Sequence, residues 1–281
     1  MYIKSPMNYV GGKYKLLEQI EPLFPKKINR MADLFCGGLD VTLNTDAKEH
    51  WCNDVNYHLI EIYRALRNWG ADDALFRIDS TIKTFGLERG NKETYYRFRD
   101  HYNKTKRPID LFILLCFCFN SQLRFNEKHE FNSSFSATNS LTDARRDNLV
   151  KIIPLLSGIH FTSMEFQRFD FGMLKPGDFV YADPPYLIAN PTYNDGKRGF
   201  TGWDEHLESL LYETLDGLTK RGIAFAVSNV LEHKDNRNEI LDKWVRDNGY
   251  TLHHLHIDYG HASYNIKKPK CFTDEVLVTN Y

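Results

Sequence analysis

The chain has 281 residues, 42% of them hydrophobic, 26% charged and 14% aromatic, with a formal net charge of -1. Such a length and composition fit one globular unit of roughly 250–300 residues, or a core carrying one sizeable insertion, and exclude collagen-like, disordered and disulfide-scaffold chains. A mean hydropathy of -0.49 and the lack of any apolar run of about 18 residues exclude a helical membrane span.

The opening Met1-Tyr-Ile-Lys-Ser-Pro-Met7 has neither the basic region nor the long apolar stretch of a secretory leader. Cys36, Cys52, Cys116, Cys118 and Cys271 are therefore expected to be reduced thiols in a cytoplasm. Charge is unevenly spread. Residues 89–151 hold twelve Lys and Arg against seven Asp and Glu, a surplus of five, and the remainder sums to -6. A neutral chain with one basic segment is what contact with a polyanion through one module would give, although a chance fluctuation of solvated charge gives the same count.

Leu16, Leu17, Ile20 and Phe24 fall at helical spacing, predicting a helix over residues 14–24 closed by Pro25. Met31–Phe35 reads as a buried strand entering the turn Cys36-Gly37-Gly38, with a helix beginning at Val41. A second strand, Trp51–Val55, contains the acid Asp54, and helical periodicity follows from Leu59 to Leu66. Strand–turn–helix–strand–helix predicts an α/β sheet with parallel strands.

Between about 68 and 156 strand-like runs vanish. Basic and aromatic residues mix with helical stretches, the apolar run Leu111–Phe119 reads as a buried helix, and the Asn/Ser/Phe/Thr-rich residues 120–142 predict a long loop or hairpin. After Pro154 the alternation resumes: a strand Phe179–Ala182, a Gly-rich loop Pro191–Gly202, a helix Glu205–Lys220, a strand Ile223–Val227 ending at Ser228-Asn229, a helix Glu239–Asn248 and a last strand Glu275–Thr279.

The sharpest chemical signal is Asp183-Pro184-Pro185-Tyr186, directly after a buried strand. Tandem prolines fix φ and keep the preceding residue extended, so these residues form a rigid rim at the carboxyl end of a strand, where α/β sheets hold ligands. Asp183 and the Pro184 carbonyl can accept hydrogen bonds from an exocyclic amino group while Tyr186 stacks on a ring. A second element, Asp33-Leu-Phe35-Cys36-Gly37-Gly38, ends a strand in an acid and then lets backbone pass close to a cofactor. It lacks the full G-x-G-x-x-G fingerprint, which argues against NAD. Asp54, about twenty residues on, is placed to bind two ribose hydroxyls.

Together, Asn8-Tyr9-Val-Gly11-Gly12-Lys13, Asp33–Gly38, Asn53-Asp54 and Asp183–Tyr186, in this order, resemble the motifs of Dam-type (D12 class, α group) DNA adenine-N6 methyltransferases. Asp178-Phe-Val-Tyr, Ser228-Asn-Val-Leu-Glu-His233 and Thr273-Asp-Glu-Val276 extend the similarity to the Dam enzymes of T-even phages, so that it covers nearly the whole chain, most weakly at 120–160. The resemblance implies a Rossmann-like, S-adenosyl-L-methionine (AdoMet)-dependent α/β sheet at residues 1–58 and 157–281, with a mostly helical target-recognition domain inserted at 59–156.

It further implies AdoMet contacts from Tyr9, Gly12, Lys13, Asp33, Asp54 and Asp183, with Phe35, Cys36, Gly37 and Gly38 near the methionine portion and Glu165-Phe166 near the adenine. The target would be an adenine flipped out of double-stranded DNA, contacted by Arg124, Asn126, Lys128, Phe135 and Thr138. A metal is not required. Where the family usually reads Pro-Phe/Tyr-Gly and then a basic residue that contacts a guanine, this chain reads Ser134-Phe135-Ser136-Ala137-Thr138, so catalysis carries over while the recognition site, GATC or a related one, and its strictness stay open.

Cys116-x-Cys118 reads as a buried helix face, and His253, His254 and His256 as sheet-face residues, rather than metal ligands. Ile266–Lys270 is either a phosphate-contacting loop or solvated charge. Two rivals stay open, an N4-cytosine or glutamine-amide methyltransferase on the same fold and an inactive AdoMet- or DNA-binding relic. Whether a restriction endonuclease accompanies the enzyme is also left open.

Overall fold

The computed structural model describes residues 2–7, 9, 11–189, 202–256 and 273–281. The expected Gly-rich loop, apart from Gly202, the basic run at 266–270, Asn8 and Val10 of the lysine motif, and Cys271 lie outside the described residues.

The elements in order are α1 (Leu17–Ile20), β1 (Arg30–Asp33), β2 (Glu49–Asn53), α2 (Tyr57–Phe85), α3 (Lys92–Thr105), α4 (Pro108–Phe117), α5 (Asp143–Leu156), β3 (Ile159–Thr162), β4 (Phe179–Ala182), α6 (Glu205–Lys220), β5 (Ala224–His233), β6 (Asn236–Arg237), α7 (Glu239–Asn248), β7 (Thr251–Leu255) and β8 (Thr273–Thr279). The strands form one sheet in the order β3-β2-β1-β4-β5-β8-β7, with the short β6 paired to β5. β1 to β5 run parallel, and β8 lies antiparallel between β5 and β7. The strand order reverses between β1 and β4, so this topological switch point brings the ends of Asp33 and of Ala182-Asp183 side by side.

β4, α6 and α7 have the predicted bounds. All three are fully legible, β4 as a run buried on both faces and the two helices through their Asp204 and Asn238 N-caps.

Other expectations are corrected. The helix over 14–24 is broken into two 3-10 turns flanking a single α-turn, because Pro22 in the second turn lacks an amide proton. Val41 leads only into the 3-10 turn Thr42–Asn44. Here Thr42 and Thr45 turn their hydroxyls to Asp33 Oδ2 (2.7 Å) and the Val41 carbonyl (2.9 Å). β5 continues six residues beyond Val227, since β8 pairs with it as far as His233.

The helix that starts near Leu59 runs as far as Phe85, broken at Gly70, whose φ of 72° no other residue type adopts easily. Its first half packs on the sheet: Arg64 Nη2 and Arg67 Nη1 donate to the carbonyls of Phe161 and Ile159 on β3 (2.7 and 3.1 Å), and Tyr63 stacks on Phe161. Its second half joins α3, α4 and α5 around the buried Tyr95, Phe98, Phe112 and Tyr102.

Residues 118–135 form the expected hairpin, bridged at Cys118 to Phe135 and Phe125 to Phe131. It is fastened to α3, where Tyr95 donates to the Ser133 carbonyl (2.9 Å) and Asn103 bonds both backbone groups of Phe131. Cys116 is buried in α4 and Cys118 caps it, as expected for a helix face. No helix among the described residues is long and apolar enough to cross a membrane.

Candidate active site

Asp183-Pro184-Pro185-Tyr186 leaves β4 at the switch point, with Pro184 buried and the other three half-buried. Lys13, only 5% exposed, reaches in from the N-terminal segment and places Nζ 2.7 Å from Asp183 Oδ2. The same ammonium donates to the Gly11 carbonyl (2.8 Å) and lies 5.1 Å from the centre of the Tyr186 ring. Tyr186 OH donates to Asp183 Oδ1 (3.0 Å), so each carboxylate oxygen has one donor and keeps lone-pair capacity for another. Burial raises the proton affinity of Asp183, opposed by the charge and hydrogen bond of Lys13 and by Tyr186.

The turn after β1 is tied to the end of β2. Cys36 N donates to the Asn53 carbonyl (2.8 Å), Asn53 Nδ2 to the Leu34 carbonyl (3.1 Å), and Tyr63 OH to the Gly37 carbonyl (2.8 Å). Asp54 accepts from Gly37 N through Oδ2 (2.9 Å) and from Asn56 N through Oδ1 (2.8 Å).

Gly37 adopts a φ of +42°, and a Cβ there would stand 3.0 Å from the Tyr9 ring; at Gly38 it would stand 2.8 Å from Ser5 Oγ. What needs glycine in the described structure is therefore the close passage of the N-terminal segment, which lays Tyr9 over the turn. At Gly12 an added Cβ would meet Asp40 Oδ2 at 2.7 Å. Asp40, which belongs to no motif, also accepts from Ser5 N (3.0 Å) and so fastens the segment carrying Tyr9 and Lys13.

Asp33 is 2% exposed. Its Oδ2 accepts from Thr42, while Oδ1 is buried with no hydrogen-bond partner. Burial raises its carboxyl to about 7, with the Thr42 hydrogen bond and the nearby Phe35 amide opposing and the charges of Asp183 and Asp54 adding to the rise. Burial and the neighbouring Cys52 raise the Cys36 thiol well above its ordinary value.

Beside the turn, Phe35 lies 5.6 Å from the ring of Phe166, and Trp203 packs edge-on against Phe35 (5.6 Å) and tilted against Phe166 (5.9 Å). Glu165 is exposed, 3.8 Å from Arg168. Trp203 escaped the sequence reading. The only signal was an aromatic just ahead of an Asp N-cap.

On the hairpin, Arg124 is exposed and its Nε donates to Asn132 (2.9 Å). Asn126 builds the turn, its Oδ1 accepting from the amides of Lys128 and Glu130 (3.0 Å each), which leaves Lys128 exposed. Phe135 packs on Tyr95 at 5.4 Å, and Thr138 is exposed with its hydroxyl 3.3 Å from Ser136. Phe119, missed in the sequence as part of an apolar run, is 58% exposed. It precedes Asn120 and Ser121, both in the left-handed region with φ of 55° and 50°.

Of the remaining basic residues here, Arg146 pairs with Asp79, and Arg145 donates to Ser121 (3.2 Å). His253 and His254 bond Thr279 and Asp274, and no group of three or more metal-ligating side chains occurs among the described residues.

The chain is 42% identical over its whole length to the type II methyltransferase M.FokI of Planomicrobium okeanokoites, covering 43% of that protein. It is likewise 42% identical over its whole length to the modification methylase StsI of Streptococcus sanguinis, again covering 43%. The chain thus spans less than half the length of these two relatives. It is 26% identical to the DNA adenine methylase of Escherichia coli K12 over 79% of each chain. Residues 9–259 match one protein family from the lysine motif through the end of the sheet's parallel half and beyond, and with it the chain belongs to the D12 class of N6 adenine-specific DNA methyltransferases.

Proposed function

We propose that this chain transfers a methyl group from AdoMet to N6 of an adenine flipped out of double-stranded DNA. The observation that carries the reading is the joining of Lys13, Asp183 and Tyr186 at the switch point, beside the turn that follows β1.

The residues present fit AdoMet. The unpartnered, buried Asp33 Oδ1 is an acceptor suited to a cationic group. Asp54, held at the end of β2 by the Gly37 and Asn56 amides, is the acid placed for ribose hydroxyls. Phe35 and Phe166 offer apolar faces to adenine, with Glu165 beside them, and Tyr9, Gly12, Cys36, Gly37 and Gly38 form the wall between. AdoMet, when bound, supplies a methyl group already activated on a sulfonium.

The protein's own groups do the rest. An adenine N6 lies inside the duplex stack and must be extruded to be reached. Its lone pair is delocalised into the ring. Hydrogen bonds from its amino hydrogens to Asp183 and to the Pro184 carbonyl draw the nitrogen towards sp3 geometry and stabilise the positive charge that grows there. The proton that N6 loses on methylation would pass to Asp183, whose proton affinity burial raises. Lys13 holds that carboxylate in place, and Pro185 stiffens the rim. Because the ammonium covers one face of Tyr186, the base stacks on the other.

The helices and hairpin between Gly70 and Leu156 are the recognition module. A boundary at Gly70 rather than 59 keeps the sheet-packed half of α2 with the catalytic domain. Arg124, Lys128, Thr138 and the exposed Phe119 form the face turned to DNA, with Asn126 and Phe135 supporting it.

Transfer of tritiated methyl from AdoMet to unmethylated duplex DNA, followed by digestion to nucleosides, tests the reading. Label in N6-methyl-2′-deoxyadenosine supports it. Label in N4-methyl-2′-deoxycytidine, or none, overturns it.

A further inference from the structure

Glu208, in the first turn of α6, is wholly buried and meets no Lys, Arg or His among the described residues. Four neutral donors surround it instead. Oε2 accepts from the indole Nε1 of Trp203, and Oε1 accepts from Tyr212 OH, Asn229 Nδ2 (2.8 Å) and Asn238 Nδ2 (3.0 Å). These donors come from the residue before the Asp204 N-cap, from α6, from β5 and from the N-cap of α7, where Asn238 Oδ1 also accepts from Leu241 N (3.0 Å). Asn229 is itself wholly buried and bonds Tyr212 OH (3.1 Å), and Tyr212 stacks on Trp244 at 4.0 Å.

Packing alone does not call for a carboxyl here, because burying one without a cation costs more than burying an apolar side chain of the same size. An indole has a single polar atom, and Glu208 holds it. The ring so held is the one that closes on Phe35 and Phe166.

We propose that Glu208 is a positioning residue for methyl transfer: by holding Trp203 Nε1 it fixes the third ring of the aromatic wall against which the cofactor's adenine lies. This rests on the AdoMet reading above. Glu208 touches neither substrate nor cofactor and acts only through Trp203. Asn229 and Asn238 keep its other oxygen occupied, so the carboxylate cannot turn away from the indole.

Glu208→Gln and Trp203→Phe test this in the full chain. Trp203→Phe keeps the three donors on Glu208 Oε1, removes the one on Oε2, and is the second variant to read if the glutamine variant fails to fold. An aromatic contact of this kind corresponds to about a three- to tenfold effect on binding. Each folded variant should raise KM for AdoMet by about that factor, with kcat at saturating AdoMet and KM for DNA within about twofold of the parent. Indole fluorescence gives a signature that loss of stability would not. AdoMet should change the emission of the parent, the change should disappear in Trp203→Phe, and it should shrink in Glu208→Gln although all four tryptophans remain.

A folded Glu208→Gln protein with parental KM and parental fluorescence change overturns the proposal. So does a Trp203→Phe protein with parental KM. Calorimetry of the parent with AdoMet separates the two readings. If the parent does not bind AdoMet the cofactor reading fails, whereas binding by the parent with unaffected variants sinks only the role of Glu208.

Discussion

Replacing Asp33 by asparagine removes one titrating oxygen at a buried position without changing side-chain volume, and the pH dependence of AdoMet binding reports whether that oxygen meets the cofactor. Burial holds the Asp33 carboxyl at about 7 in the free protein, and Oδ1 has no partner. A cationic group of the cofactor placed beside it would favour the ionised form and lower its pKa, so binding expels the proton.

The sign follows directly. The bound state holds fewer protons than the free state, and affinity must rise with pH until the carboxyl ionises unaided near 7. Below that pH the dissociation constant should fall as pH rises, by at most about tenfold per unit. Calorimetry at pH 6 in buffers of different ionisation enthalpy should find net proton release on AdoMet binding, at most about one per site. Asp33→Asn should flatten the profile and abolish the proton release, whereas Thr42→Val, by removing the hydrogen bond that opposes the rise, should carry the slope to higher pH. A parent protein with pH-independent affinity between 5.5 and 6.5, or an Asp33→Asn protein that keeps the slope, would refute the assignment of Asp33 to the cofactor.

Asp183→Ala should lower kcat by about 10²–10³-fold or more while DNA affinity in a gel-shift titration changes little, the outcome expected if the insertion makes the phosphate contacts as proposed; equal losses in both would count against that division. Lys13→Ala should raise KM for AdoMet and also move the acid limb of the kcat–pH profile upward, since the ammonium now opposes the burial-driven rise at Asp183. An unmoved limb would show that the ion pair does not set the state of the carboxylate. Phe119→Ala should weaken the fluorescence rise of a 2-aminopurine placed at the target adenine more than it weakens overall DNA binding, whereas an unaltered rise would remove Phe119 from the DNA face. At the base pair that the family reads with a basic side chain, loss of one good bidentate contact corresponds to about 1–3 kcal/mol, or roughly five- to 150-fold in discrimination. Mapping N6-methyladenine over a fully methylated plasmid should therefore find GATC together with related sites, and a single strict GATC consensus would show that another residue has replaced the missing contact.

The sequence by itself determined the family and the class of fold. Asp183-Pro184-Pro185-Tyr186 is local: tandem prolines after an unbroken apolar strand fix its conformation whatever surrounds it, so the motif was legible before any packing was known. The same holds for α6 and α7, whose caps and apolar stripes are written within a few residues. Where short-range signals were ambiguous the tertiary structure decided. β3 went unread because its four residues carry one exposed and one half-exposed side chain, and it becomes a strand by pairing with β2. Helical periodicity near Leu16 and Val41 gave only broken turns, since Pro22 and the threonine hydroxyls outweigh it. The hairpin at 118–135 has almost no aliphatic residues and takes its form from the aromatic anchors and side-chain bonds of α3. Most of the candidate site is likewise tertiary. Lys13 and Asp183 are 170 residues apart, and Phe35, Phe166 and Trp203 come from three separate connections, so no spacing in the chain reveals that they meet. The reversal of strand order between β1 and β4 brings them together, and burial there gives Asp33 and Asp183 their raised proton affinity.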